Sequence, residues 1–215
     1  AVGVAWDLSP AQIGLIITAH GFGGGLSYLP AGLLGDRFRR RGMLLTTTLW
    51  WASLGYLAAS VAPGFWMLLV LLALGGAGSA AWHPLATGTM IQFKPERRAQ
   101  MLGVHLTGGV LAEVIPPLMV GFLLNALEWR TVLQLAVGPA ALMGLAMLYV
   151  SRWAQTSNEP SITCVDLKFM LKVWRRPAGL GMLGIGIAYS MSLTALLAMT
   201  PLFLLDYRGY SSTWT

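Results

Sequence analysis

Four ionisable side chains stand inside otherwise apolar runs of the sequence: Glu113, His83, His105 and His20. Carboxylates and imidazoles in such surroundings pass protons or hold a polar solute, because each has a charged and a neutral form. Glu113 lies mid-run, and an ionised carboxylate at a bilayer centre costs ~2.5–3.5 kcal/mol on insertion scales. It is expected to face a cavity and to serve proton coupling or substrate contact, against the competing reading of a neutral, hydrogen-bonded structural Glu. His83 stands 8 residues before its run ends at 91, and His105 stands 6 residues after the next begins at 99. At 1.5 Å per residue these are ~12 Å and ~9 Å from the same end, so the two rings can meet across adjacent helices. Pro84 withdraws a backbone donor beside them and frees the carbonyl of Ala80. His20 lies in the outer half of its run, where packing accounts for it better than function does. No His-Glu-x-x-His and no second nearby carboxylate occurs, and Cys164 is the one cysteine. No catalytic residue, metal ligand set or cofactor is therefore expected.

The elements that must position these groups are the runs themselves. Six stretches stand at roughly 11–35, 43–62, 65–91, 99–126, 130–151 and 178–205. Each reaches the roughly 20 apolar residues that a membrane-crossing helix needs. Continuous runs such as 67–74 lack the two-residue alternation of a membrane barrel. Of 215 residues, 56% are hydrophobic and 10% charged, with a mean hydropathy of +0.66. Soluble domains carry about 25% charged residues. This composition excludes a cytosolic enzyme, a disordered tail and a secreted disulfide scaffold. The expected fold class is all-α, a polytopic membrane protein in contact with the lipid bilayer.

Charge sets the orientation. The loops 36–42, 92–98 and 152–177 hold twelve Lys and Arg, while 1–10, 63–64, 127–130 and 206–215 hold only Arg130 and Arg208. Basic loops face the cytoplasm, so both chain ends are expected outside. The net charge of +6 reports this topology, and no nucleic-acid partner is expected. Residue 1 already falls in an outer loop, which leads us to expect a fragment lacking at least one N-terminal span. Leu8-Ser9-Pro10-Ala11 and Tyr210-Ser211-Ser212-Thr213 faintly echo one another, as a parallel six-span repeat would. Gly14, Gly21, Gly25 and Gly32 fall on one face of the first helix, where Gly21-x-x-x-Gly25 would admit a close neighbour, and Gly75, Gly76, Gly78 and Ser79 would do similar work in the third. Residues 162–176 are amphipathic, with Val165, Phe169 and Val173 on one stripe and Lys168, Lys172 and Arg176 on another, which suits an interfacial helix.

The segment Gly32-Leu-Leu-Gly-Asp36-Arg37-Phe-Arg-Arg40-Arg41 ends the first run in a dense charge cluster. It resembles the loop signature of the major facilitator superfamily, Gly-x-Leu-Ala-Asp-Arg-x-Gly-Arg-Arg, with Arg39 where that family has Gly. Lys94-Pro-Glu-Arg97-Arg98 is similar to the family's second short loop, and Glu128-Trp129-Arg130 to the Gly-Trp-Arg that opens its sixth helix. Gly78-Ser-Ala-Ala-Trp-His83-Pro84 followed by Gly103-Val-His105 is similar to a branch that includes fosmidomycin-resistance efflux proteins.

The resemblance implies family helices two to seven of an expected twelve. Residues 1–151 would form an N-terminal bundle without its first helix, 152–177 the linker between bundles, and 178–215 the first helix of the second. It implies a conformational-switch role for Gly32, Asp36, Arg37, Arg40 and Arg41. It also implies a secondary transporter rather than an enzyme, moving a small-molecule substrate by alternating access with protons, efflux slightly favoured. The expected partners are that substrate, protons and the remaining helices of the same protein. The expected location is the cell membrane, a bacterial inner membrane. No Gly-x-x-x-x-Gly-Lys-Ser/Thr occurs, so ATP drive within this chain is excluded. The alternative is an intramembrane enzyme or metal-binding membrane protein using His83, His105 and Glu113.

Overall fold

Ser9 starts the first long helix of the computed structural model. Its Oγ accepts from the Gln12 amide at 3.3 Å, its own amide donates to Gln12 Oε1 at 2.8 Å, and Pro10 takes the first helical position. This reciprocal cap satisfies amides that a helix start leaves open. The structure describes residues 2–38, 40–93, 95–151, 172–206 and 208–209. Among them there is no strand. The helices are α1 (Val2–Ala5), α2 (Pro10–Arg37), α3 (Arg41–Ser60), α4 (Phe65–Phe93), α5 (Arg98–Leu123), α6 (Trp129–Val150) and α7 (Pro177–Asp206), with a 3-10 turn at Pro95–Arg97.

Six long helices match the six expected stretches within a few residues. By length and apolarity together, four segments suffice to cross a membrane: Phe65–Phe93, Pro95–Leu123, Trp129–Val150 and Pro177–Pro201. The helices α2 and α3 are long enough, at 28 and 20 residues, but less apolar. Gly21, Gly23, Gly24 and Gly25 dilute the first, and Thr46, Thr47 and Thr48 the second. Those threonines leave no hydroxyl for lipid to solvate in at least two cases: Thr46 donates to Gly42 O and Thr48 to Leu45 O, each at 2.9 Å.

The chain divides into two units, Ala1–Glu159 and Pro160–Thr215. In the first, α4 is the centre, packed by α2 on one flank and α3 on another, with α6 against α3. Six of the ten buried hydrophobic residues described are alanines: Ala31, Ala52, Ala59, Ala62, Ala81 and Ala86. Small side chains let backbones approach, and van der Waals contact then replaces the hydrophobic drive that lipid cannot supply. One cluster, around Leu45, Ala81 and Leu85, ties the arginine-rich end, and a second, around Ala59, Ala62 and Leu68, ties the other. No residue of α5 is buried. The second unit contributes α7. Residues 152–171 and 210–213 lie outside the described residues, and with them most of the expected linker, most of the amphipathic stripe and one half of the four-residue echo.

The close approaches differ from the expected glycine face. A side chain at Gly14, Gly21 or Gly25 would meet nothing within 4 Å. The tight positions are Gly23, which lies against the Ala73 carbonyl, and Gly76, against the His20 carbonyl. Gly55 meets Gly75 across α3 and α4, and a Cβ at Gly78 would stand 2.6 Å from the Ala52 amide. The expected role of Gly75, Gly76 and Gly78 holds, whereas the contact face of α2 is the one through Gly23 and Gly24.

Candidate functional site

Tyr28 on α2, His83 on α4 and His105 on α5 form one array of rings. The centroids of Tyr28 and His83 are 6.2 Å apart with planes 2° from parallel. Those of His83 and His105 are 6.4 Å apart and edge-on at 68°. Tyr28 and His83 are exposed and His105 is half-buried. The two histidines that equal depth predicts to meet therefore do so. α4 continues past Pro84 without a break, and Thr87 Oγ1 donates to the His83 carbonyl at 2.8 Å. Gly32 of α2 faces Pro84, 3.8 Å from the position its Cβ would take.

His20 belongs to a separate polar contact. Its Nε2 lies 2.7 Å from the Tyr56 hydroxyl, with the two rings stacked 6.0 Å apart. The contact thus links α2 to α3. Glu113 is not brought to either group: it is exposed on α5, eight residues after His105. Eight residues are ~12 Å of helix. Among the described residues, no three of His, Cys, Asp and Glu gather as a metal would require.

A cavity of about 570 Å³ opens between α2, α3 and α4. None of the four expected pathway residues lines it. Its walls are apolar, so it offers nothing to exchange a proton or orient a polar solute, and it is distinct from the ring arrays.

The charge cluster at the ends of α2 and α3 is assembled. Asp36 Oδ1 lies 3.6 Å from an Arg41 guanidinium nitrogen, with Asp36 exposed and Arg41 buried. Arg41 passes beneath α4, 3.6 Å from the position of a Cβ on Gly88. Burial pushes the Arg41 guanidinium below its ordinary value, and the Asp36 carboxylate opposes that shift. An arginine taken out of water needs such a partner. Arg37 and Arg40 remain exposed beside it.

At the opposite end, Arg130 does work that its place in the sequence does not disclose. Its guanidinium donates to the Ser60 carbonyl and, at 2.8 Å, to the Ala62 carbonyl, closing the end of α3. It lies 4.6 Å from the Trp129 ring centroid and 5.5 Å from that of Trp6, and the two indoles meet edge to face. Helix ends leave carbonyls unpaired, and here a side chain 68 to 70 residues away supplies the donors. Tyr28 and Tyr56 carry no charge that would mark them in the sequence. A neutral hydroxyl inside an apolar run was the available signal.

Apolar helices of membrane-crossing length, a polar ring array within them and an arginine-rich loop at one end define a polytopic membrane protein. Residues 1–215 match the family described as Major Facilitator Superfamily, and the chain belongs to it. It is 31% identical over 144 residues to the "Uncharacterized transporter YgaY" of Escherichia coli O157:H7, covering 66% of this chain and 36% of that protein. It is 26% identical over 179 residues to the "Probable sugar efflux transporter" of Helicobacter pylori strain 26695, covering 82% and 44%. It is 27% identical over 169 residues to the "Probable 4-methylmuconolactone transporter" of Cupriavidus pinatubonensis, covering 74% and 37%. The match spans less than half the length of each of these relatives. None of the three is named as a fosmidomycin-resistance protein. No solved structure matches the chain.

Proposed function

We propose that the protein is a secondary active transporter that moves a small molecule by alternating access, coupled to protons, with efflux favoured over uptake. The observation that carries this reading is the ring array of Tyr28, His83 and His105, which draws three helices together around groups able to bind and release protons. His83 stands ten residues inside α4, ~15 Å from its end. Polar residues at that depth are costly unless they line a pathway or pair. The name of the Helicobacter pylori relative supports efflux of a polar solute, and the Cupriavidus pinatubonensis name supports a small organic ring compound.

In this reading His83, His105 and Glu113 serve the substrate and proton pathway, and His20 steadies the opposite half. Gly32, Asp36, Arg37, Arg40 and Arg41 form the switch at the cytoplasmic face, with the chain ends outside and the protein in a bacterial inner membrane. Residues 1–151 supply the first bundle, 152–177 the linker and 178–215 the opening helix of the second. The test is uptake into inverted vesicles across a candidate panel of sugars and organic acids. His83→Ala and His105→Ala should each lower proton-driven accumulation at least tenfold at unchanged membrane levels. Parental accumulation by both variants would overturn the reading.

A further inference from the structure

The groove between α2, α3 and α4 has walls that a polar solute cannot use. Its surface is formed by side chains such as Leu26, Leu34, Leu44, Trp51, Val70 and Ala77. The three hydroxyls that reach it are already committed to their own helices. Ser27 donates to Gly24 O at 2.8 Å, Thr47 to Met43 O and Thr48 to Leu45 O, both at 2.9 Å. The groove is open to its surroundings, with Leu26 63% and Val70 56% exposed. On α2 the lining runs from Phe22 to Leu34. Those twelve helical steps are ~18 Å of helix, a length comparable with half of the ~30 Å hydrocarbon core.

The same stripes lead into charge. Lining positions 27, 30 and 34 of α2 continue at helical spacing to Arg37, and positions 44, 47 and 51 of α3 lead back toward Arg40, the residue that precedes the first turn of α3. Both arginines are exposed, whereas Arg41 beside them is buried against Asp36. The trough of one-leaflet length thus stops three residues short of Arg37 on α2 and four residues after Arg40 at the start of α3, and exposed guanidinium groups bind phosphate oxygens through paired N–H donors.

We propose that this groove is a binding site for a phospholipid with an acidic headgroup, one acyl chain lying along α2, α3 and α4 and the phosphate held by Arg37 and Arg40. The acyl chain excludes the groove from polar solutes, and the headgroup neutralises the two arginines that Asp36 does not reach. The test uses phosphatidylglycerol carrying a photoactivatable diazirine in its acyl chain, added to the purified protein in detergent, with labelled residues mapped by mass spectrometry. Label should concentrate at Leu26, Trp51 and Val70. Unlabelled phosphatidylglycerol should displace it at a concentration at least fivefold lower than phosphatidylcholine of the same chains. The Arg37→Gln/Arg40→Gln double variant should erase that headgroup preference. Ala77→Phe, which fills the trough, should lower labelling at least fivefold, and Val70→Trp at its open edge gives the same readout should Ala77→Phe fail to fold. Three results overturn the proposal: label spread evenly over all helices, a groove left unlabelled because another helix of the protein occupies it, or a headgroup preference unchanged in the double variant.

Discussion

His20 Nε2 and the Tyr56 hydroxyl oxygen stand 2.7 Å apart across the contact between α2 and α3, while the His20 carbonyl rests against Gly76 of α4. The side chain and backbone of one residue thus bind two neighbouring helices. Hydrogen bonds between membrane helices average ~0.6 kcal/mol in double-mutant cycles. Tyr56→Phe removes this contact and should lower unfolding free energy in a denaturing-detergent titration by about 0.6 kcal/mol. Combining it with His20→Ala should show a coupling near ~0.6 kcal/mol. Strict additivity would mean that the His20–Tyr56 contact carries no energy.

Adjacent glycines of α2 should behave oppositely. Gly23→Leu drives a side chain into the Ala73 carbonyl of α4, and Gly76→Leu does the same to the His20 carbonyl. Backbone cannot step aside as a flexible side chain can, so both variants should lose most folded protein in size-exclusion profiles of a fluorescent fusion. A Cβ at Gly21 or Gly25 would meet nothing within 4 Å, so Gly21→Leu and Gly25→Leu should retain parental yield. Equal loss from all four substitutions would refute the packing of α2 on α4.

The helix spans were legible because apolar run length alone sets them, and the boundaries fell within a few residues. The packed face of α2 was not legible. Four glycines crowd positions 21 to 25 and lie on several sides of the helix, so only the partner's position decides which are needed. The meeting of His83 and His105 was legible from depth, because both counts start from one shared turn. Tyr28 and Tyr56 escaped notice because a neutral phenol in an apolar run carries no charge penalty to mark it. Arg130 was read as a residue at a span's end. Its carbonyl partners, Ser60 and Ala62, lie at and just past the end of α3, and no local pattern connects them to it.

The Asp36–Arg41 pair makes a distinguishing case for the switch motif. Asp36→Asn keeps the shape but removes the anion facing a buried guanidinium. Weakening the compensation of a buried charge is destabilising for whichever state buries it. Membrane insertion should be unchanged, transport should fall severalfold, and cysteine accessibility near Arg40 should rise as the end of α3 loosens. Parental transport rates with unchanged accessibility would reduce the motif to a topological anchor.

On the proposed proton-coupled cycle, Glu113 tests whether a coupling group lies in this part of the protein. It sits near the middle of α5, with no basic residue of its own helix nearer than His105, ~12 Å along the axis. At bilayer-centre depth the ionised carboxylate is disfavoured unless another group or water meets it. A carboxyl that is neutral in one transport state and ionised in the other takes up a proton on one side and releases it on the other. Proton binding is then linked to the conformational equilibrium, and the gradient biases the cycle. Glu113→Gln holds the neutral form permanently. The variant should insert and bind substrate, retain exchange down a substrate gradient, and lose accumulation driven by a proton gradient. Its exchange rate should no longer depend on pH through this group. Both readouts are needed, because a variant that merely misfolds loses exchange as well. If Glu113→Gln accumulates substrate as the parent does, with the same pH dependence, the carboxyl is structural and proton coupling resides elsewhere in the protein.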